Sequence, residues 1–226
     1  MPLDVARIRG ICFDIDGTLS DTDDDWIGKF LHFFSPLRPL LPGVDLTEFA
    51  RYLVTGVVNP GNAVLETMDE LGADDFWRRF KRRFAGKRVK KPAHFLMVKS
   101  VPDILAALYK RYPLAIVTAR TEAPAQQFLQ QYNLDYYFTV VVSSESTYRA
   151  KPAADPLRFA AEKMEVAPEN LLMVGDTVVD IRAGKAAGAQ TVGVLWGFGT
   201  ELELRLAGAD AIVKTPTELL DLLRIN

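Results

Sequence analysis

Three observations predict an α/β protein, a Rossmann-like parallel sheet core with an inserted α-helical cap. Short apolar runs alternate with helical segments from Pro102 to the end of the chain, and that order implies right-handed crossovers between parallel strands. From Asp23 to about Lys91 the pattern is helical, with no convincing strand. The first apolar run breaks off in Asp14-Ile15-Asp16-Gly17-Thr18, so a buried strand brings carboxylates to its carboxyl end, where open α/β sheets place their sites. The expected domains are 1–19 with 96–226 as the core and 20–95 as the cap.

Residues 8–15 form the expected first strand. Asp23-Asp24-Asp25 then leads into Trp26, Ile27, Phe30, Leu31 and Phe34 at helical spacing, and acids suit a helix start because they complement the dipole. Pro36, Pro39 and Pro42-Gly43 break the pattern. Asp45 caps a second helix with Glu48 in the capping-box position. Asn59-Pro60 opens a third, stopped at Gly72. A fourth spans about Asp74 to Ala85, with Phe76, Trp77, Phe80 and Phe84 as its apolar stripe. The basic residues of segment 78–91 fall mostly away from that stripe before Gly86, as on a solvated face, although an anionic ligand would also suit them.

Beyond Pro92 the alternation sets in. Helices are expected at Pro102–Arg111, about Glu122–Tyr132, Asp155–Met164 (capped by Asp155-Pro156), Val178–Ala187, near Glu201 and at Thr217–Leu223. Strands are expected at Leu114–Thr118, Phe138–Val142, Leu171–Val174, Thr191–Leu195 and Ala211–Val213.

Composition is that of an ordinary globular enzyme: 226 residues, 49% apolar, 25% charged and a net charge of −2. Nothing in that balance points to nucleic acid or a membrane as partner, and no apolar run approaches a membrane span. The N-terminus lacks the parts of a signal peptide. The single Cys12 excludes an internal disulfide and fits a reducing, cytoplasmic setting; within an apolar run it reads as a core thiol. A monomer or homodimer is expected. His32 and His94 fall in no recognisable motif.

Asp14 and Asp16, two apart on an extended chain, share a face. Two acids on one strand tip repel each other unless a cation lies between them or one holds a proton. An Asp-Gly turn with no further role is the plain alternative. Downstream, Thr118, Lys151, Asp176 and Asp180 fall at the same sheet edge, with Asp180 in the first turn of its helix. Singly these are a helix cap, a loop cation, a cap and a surface acid. Together they suit Mg²⁺ and phosphate: Mg²⁺ takes a few carboxylate oxygens plus water and phosphate, and lysine supplies a point charge.

In chain order these segments resemble those of the haloacid dehalogenase superfamily, over nearly the whole length. Asp14-Ile15-Asp16-Gly17-Thr18 is similar to its first motif, Thr118 to the second, Lys151 to the third, and Gly175-Asp176 through Asp180 to the fourth. Segment 20–95 resembles the cap of phosphoglycolate phosphatase-like members. Ala154 stands where many relatives carry proline. The resemblance implies a Mg²⁺-dependent phosphatase of a small phosphorylated metabolite. Asp14 would be the nucleophile and Asp16 the general acid and base. Thr118 and Lys151 would hold the phosphoryl oxygens, and Asp14, Asp176, Asp180 and the Asp16 carbonyl would hold the metal. A dehalogenase is disfavoured by Asp16. A phosphomutase and a pyrophosphatase stay open. A non-enzymatic phospho-acceptor module needs neither Asp16 nor a lid.

Overall fold

The computed structural model describes residues 3–21 and 95–225, all within the first of two units into which the chain divides, Met1–Asp23 with Phe95–Asn226. The expected helices between Asp23 and Lys91, the basic segment 78–91, His32, His94 and most of the cap boundary 20–95 lie outside the described residues.

Six strands form one sheet: β1 (Gly10–Phe13), β2 (Leu114–Val117), β3 (Phe138–Val142), β4 (Leu171–Gly175), β5 (Gln190–Val194) and β6 (Ala211–Val213). All neighbours pair in parallel, in the order β3-β2-β1-β4-β5-β6. That order reverses at β1, which pairs with β2 on one side and β4 on the other. The crevice beyond the carboxyl ends of β1 and β4 is where such a sheet leaves room for a ligand.

Among the described residues, six α-helices flank the sheet: α1 (Val101–Tyr109), α2 (Glu122–Gln131), α3 (Asp155–Met164), α4 (Val178–Ala187), α5 (Glu201–Leu206) and α6 (Pro216–Leu222). The strands are apolar on both faces, and the pleat divides their side chains into two cores. Ile11 and Phe13 join Leu114, Ile116, Leu172, Val174, Val192 and Val194 against Leu105 and Leu108 of α1, Phe128 and Leu129 of α2 and Leu219 of α6. Cys12, Ala115, Val117 and Met173 lie in the other core with Leu157 and Ala160 of α3 and Ala183 of α4. Cys12 is thus a packed core thiol, and burial pushes it up to about 12.

Most expected elements recur within a residue or two of their expected ends. The first strand is shorter than 8–15, because a 3-10 turn at Val5–Arg7 feeds it and the chain turns off after Phe13. Asp155 does not cap α3. Ala154 holds the cap position with no side-chain bond, while Asp155 is the first helical residue and pairs with Arg149 at 3.1 Å.

Gly184 on α4 packs directly against β5, where a Cβ would run into the Thr191 methyl and come within 3.2 Å of the Met173 Cβ. Thr191 is fully buried, β-branched and tied through its hydroxyl to Asp210 at 3.1 Å, so it has little freedom to yield. Gly184→Val is therefore expected to cost about 1–3 kcal/mol by overpacking. A chemical denaturation midpoint unchanged from wild type contradicts this tight helix–strand contact.

Candidate active site

Asp14, Thr118 and Asp176 sit at strand tips, Lys151 lies on the loop between β3 and α3, and Asp180 in the first turn of α4. Asp14 follows β1, and its amide donates to the Val174 carbonyl at 3.0 Å, which continues the β1–β4 ladder by one bond. Gly17 then turns the chain at φ +75°, in the left-handed region. A side chain at Gly17 or at Gly197 would collide with the Asp176 carboxylate, so two glycines make the hollow in which that group lies.

Lys151 binds the site together. Its Nζ donates to Asp14 Oδ1 at 2.9 Å, to Asp180 Oδ1 at 2.6 Å and to the Val117 carbonyl at 2.8 Å. An ammonium has three N–H groups, so all of them are engaged. Asp180 lies in the first turn of α4 and reaches back, with Oδ2 accepting from the Thr177 amide at 3.0 Å and hydroxyl at 2.7 Å. Asp176 accepts from the Thr18 hydroxyl at 3.0 Å and from the Phe198 amide at 2.8 Å. Asp14, Asp176 and Asp180 are all buried, and each offers an oxygen within 4.8 Å of the others'.

Asp16 stands apart from that trio. Its carboxylate takes the guanidinium of Arg120 side-on, with Nε to Oδ2 at 2.8 Å and Nη2 to Oδ1 at 2.6 Å. Thr118 is buried at the end of β2, its amide bonded to the Val142 carbonyl at 2.9 Å, and its hydroxyl accepts from the Arg120 amide at 3.1 Å. The structure thus gathers Asp14, Lys151, Asp176 and Asp180 into one cluster, places Thr118 directly after the Val117 carbonyl that Lys151 holds, and turns the Asp16 side chain to Arg120. The sequence assigns no role to Arg120, to Thr18 within the first motif, or to the Phe198 amide. The arginine follows Thr118 by two residues, but no local pattern tells which acid it meets, and a backbone amide leaves no residue signature.

Charge in the cluster is unbalanced. Burial pushes Asp14 up to about 7; Lys151 opposes the shift, while Asp180 and Asp16 add to it. Burial likewise holds Asp176 well above the carboxylate range, with Asp180 and Asp14 adding, and the Phe198 amide and Thr18 hydroxyl only partly offsetting them. For Lys151 burial works against the charge, but Asp14 and Asp180 outweigh it and hold the ammonium above the ordinary lysine range. One lysine bonded to two of the three buried acids accounts for both directions: the cation is secure, and Asp14 and Asp176 are under-compensated. A small, hard divalent cation fits this hollow, since its donors are carboxylate oxygens and the missing charge is positive.

The family model for haloacid dehalogenase-like hydrolases matches residues 11–194. A pyrophosphatase, PpaX, of Anoxybacillus flavithermus is 29% identical, over 97% of this chain and 99% of its own. A phosphoglycolate phosphatase of Escherichia coli K12 is 29% identical, over 94% of this chain and 91% of its own. Among solved structures, a haloacid dehalogenase-like family hydrolase of Streptococcus pneumoniae superposes with a TM-score of 0.65 at 25% identity, covering 96% of this chain and 98% of that one. The chain belongs to the haloacid dehalogenase-like hydrolases. Within that family it is an enzyme of the phosphatase class. Among the described residues no helix is long and apolar enough to cross a membrane.

The pH dependence of stability follows from Asp14. A carboxyl raised from 3.8 to about 7 on folding gives stability that is full below about pH 4 and lost as pH rises through 7. Chelator-treated wild type is therefore expected to lose more melting temperature between pH 5 and pH 8 than Asp14→Asn. Millimolar Mg²⁺ is expected to restore wild type at pH 8 and to do little at pH 5. Parallel melting curves for the two proteins across that range contradict the assignment.

Proposed function

We propose that this chain is a Mg²⁺-dependent phosphatase that hydrolyses a small phosphomonoester through a phosphoryl group carried on Asp14. The observation that carries the proposal is the pairing of a buried, under-compensated carboxylate with a fully engaged lysine at the switch point of the sheet. A structural ion pair needs one partner for Lys151. Here the lysine orients two acids, with a third beside them.

In this reading an Asp14 carboxylate oxygen attacks phosphorus, the bond from phosphorus to the leaving oxygen breaks, and Asp16 gives that oxygen a proton. Water then attacks the acyl phosphate, Asp16 takes its proton, and the bond from phosphorus to Asp14 breaks to release inorganic phosphate. Thr118 would hold a phosphoryl oxygen. Lys151 keeps one oxygen of Asp14 fixed so that the carboxylate meets phosphorus in one orientation. Asp14, Asp176 and Asp180, with the Asp16 main-chain carbonyl, would hold Mg²⁺. Once bound, it would offset the repulsion between the Asp14 carboxylate and a phosphate dianion.

Segment 20–95 would be the helical cap, closing over the site, excluding bulk water and supplying specificity contacts. The relatives suggest two substrates, phosphoglycolate and pyrophosphate. Pyrophosphate hydrolysis is the second reading, favoured by the PpaX match over nearly the full length of both chains.

With p-nitrophenyl phosphate and Mg²⁺, wild type is expected to turn over continuously, and Asp14→Asn to lose at least about a thousandfold in kcat. Turnover by Asp14→Asn at the wild-type rate rejects Asp14 as the nucleophile. Asp16→Asn is expected to lose roughly 10²- to 10⁴-fold in kcat on an alkyl phosphate, whose poor leaving group needs a proton. On p-nitrophenyl phosphate, whose leaving group needs none, the loss should be smaller. Equal losses on both esters exclude Asp16 as the acid.

A further inference from the structure

Arg120 has two hydrogen-bonding edges, and only one of them is used by Asp16. The Nε and Nη2 edge takes the Asp16 carboxylate in a fork. At the other edge, Nη1 is buried and has no hydrogen-bond partner. The guanidinium is not free to move away and find water. Its carbon lies 4.7 Å from the centre of the Phe95 ring and 5.6 Å from that of Phe128, and the side chain is 12% exposed. Phe128 is itself buried on α2, and Phe95 meets it edge-on at 5.9 Å. A guanidinium carries five N–H groups, and burying any of them unpaired is costly. An edge held rigidly and left unpaired is shaped for an anion that takes two N–H groups at once.

We propose that Arg120 is a specificity-determining residue, whose Nη1 edge binds an anionic group on the leaving side of the substrate. This rests on the phosphatase reading, in which Asp16 stands at the leaving oxygen. Arg120 touches Asp16 directly, so only an anion close to that oxygen comes within its reach. The substrate class is a short phosphate ester or anhydride whose leaving group carries a carboxylate or second phosphoryl group one or two bonds beyond the bridging oxygen. An alcohol with no charge leaves the edge unpaired. The alcohol released from a sugar monophosphate is likewise neutral and leaves it unpaired. The aromatic wall explains why arginine suits the position: its flat, weakly hydrated cation stacks on rings and still presents both edges.

The test compares phosphoglycolate and pyrophosphate with ethyl phosphate, which has no second anion, using the full chain with Mg²⁺. For wild type, kcat/KM is expected to favour the two doubly anionic substrates. Arg120→Gln is expected to reduce that preference roughly 10- to 100-fold, with Arg120→Lys retaining part of it. Because Arg120 also holds Asp16, the measured quantity is the ratio between substrates. A variant that slows all three equally, or none, overturns the proposal and leaves Arg120 as a support for Asp16. Wild type that turns over p-nitrophenyl phosphate but none of the three overturns this proposal alone, and wild type inactive on all four removes the phosphatase reading with it. Should neither variant fold, inhibition of wild type decides: glycolate is expected to compete with ethyl phosphate where ethylene glycol does not. Equal inhibition by both, or by neither, overturns the assignment.

Discussion

A single ammonium group ties three separate segments together at the carboxyl edge of this sheet. Lys151 Nζ is bonded to a nucleophile candidate after β1, an acid on the first turn of α4 and a carbonyl at the end of β2. These segments are far apart in sequence, and each arrives by a different crossover. A cation with its three donors engaged in a buried site fixes their relative positions within hydrogen-bond tolerance. It cannot balance their charge. Three buried acids beside one lysine leave a deficit of positive charge, and a deficit of that kind suits a divalent cation better than a permanently filled core. Structure and chemistry thus draw on the same imbalance.

The surrounding backbone keeps that imbalance in place. The absence of a side chain at Gly17 and Gly197 makes room for Asp176. The Phe198 amide and the Thr18 hydroxyl then aim it. Thr177 fixes Asp180 through the same contacts that start α4. Behind all of these lie β1 and β4, central and parallel, with apolar side chains on both faces, so the strand tips are anchored in the buried centre of the sheet.

Much of this was legible in the sequence, for identifiable reasons. Strands such as Leu171–Gly175 are short apolar runs bounded by turn residues, and helices such as Val178–Ala187 end in glycine, so their limits are local properties. Asp180 could be placed because a residue four on from a strand-tip acid falls in the first turn of the next helix. Asp155 was misjudged as a cap because a local acid–proline signal does not reveal Arg149 as a competing partner. The direction of the Asp16 side chain was out of reach for a different reason. Its partner, Arg120, lies 104 residues away, and tertiary packing against Phe95 and Phe128 holds that guanidinium in place.

The central claim is that Asp14 becomes covalently phosphorylated at a site whose charge is completed by a divalent cation. Rapid acid quenching during turnover, followed by peptide mass spectrometry, tests it most directly. The account predicts a phosphoryl mass increment on the peptide containing Asp14, present with Mg²⁺ and substrate and absent when the metal is chelated. A phosphoryl group found on another residue, or sustained hydrolysis with no labelled peptide under conditions that preserve acyl phosphates, contradicts it.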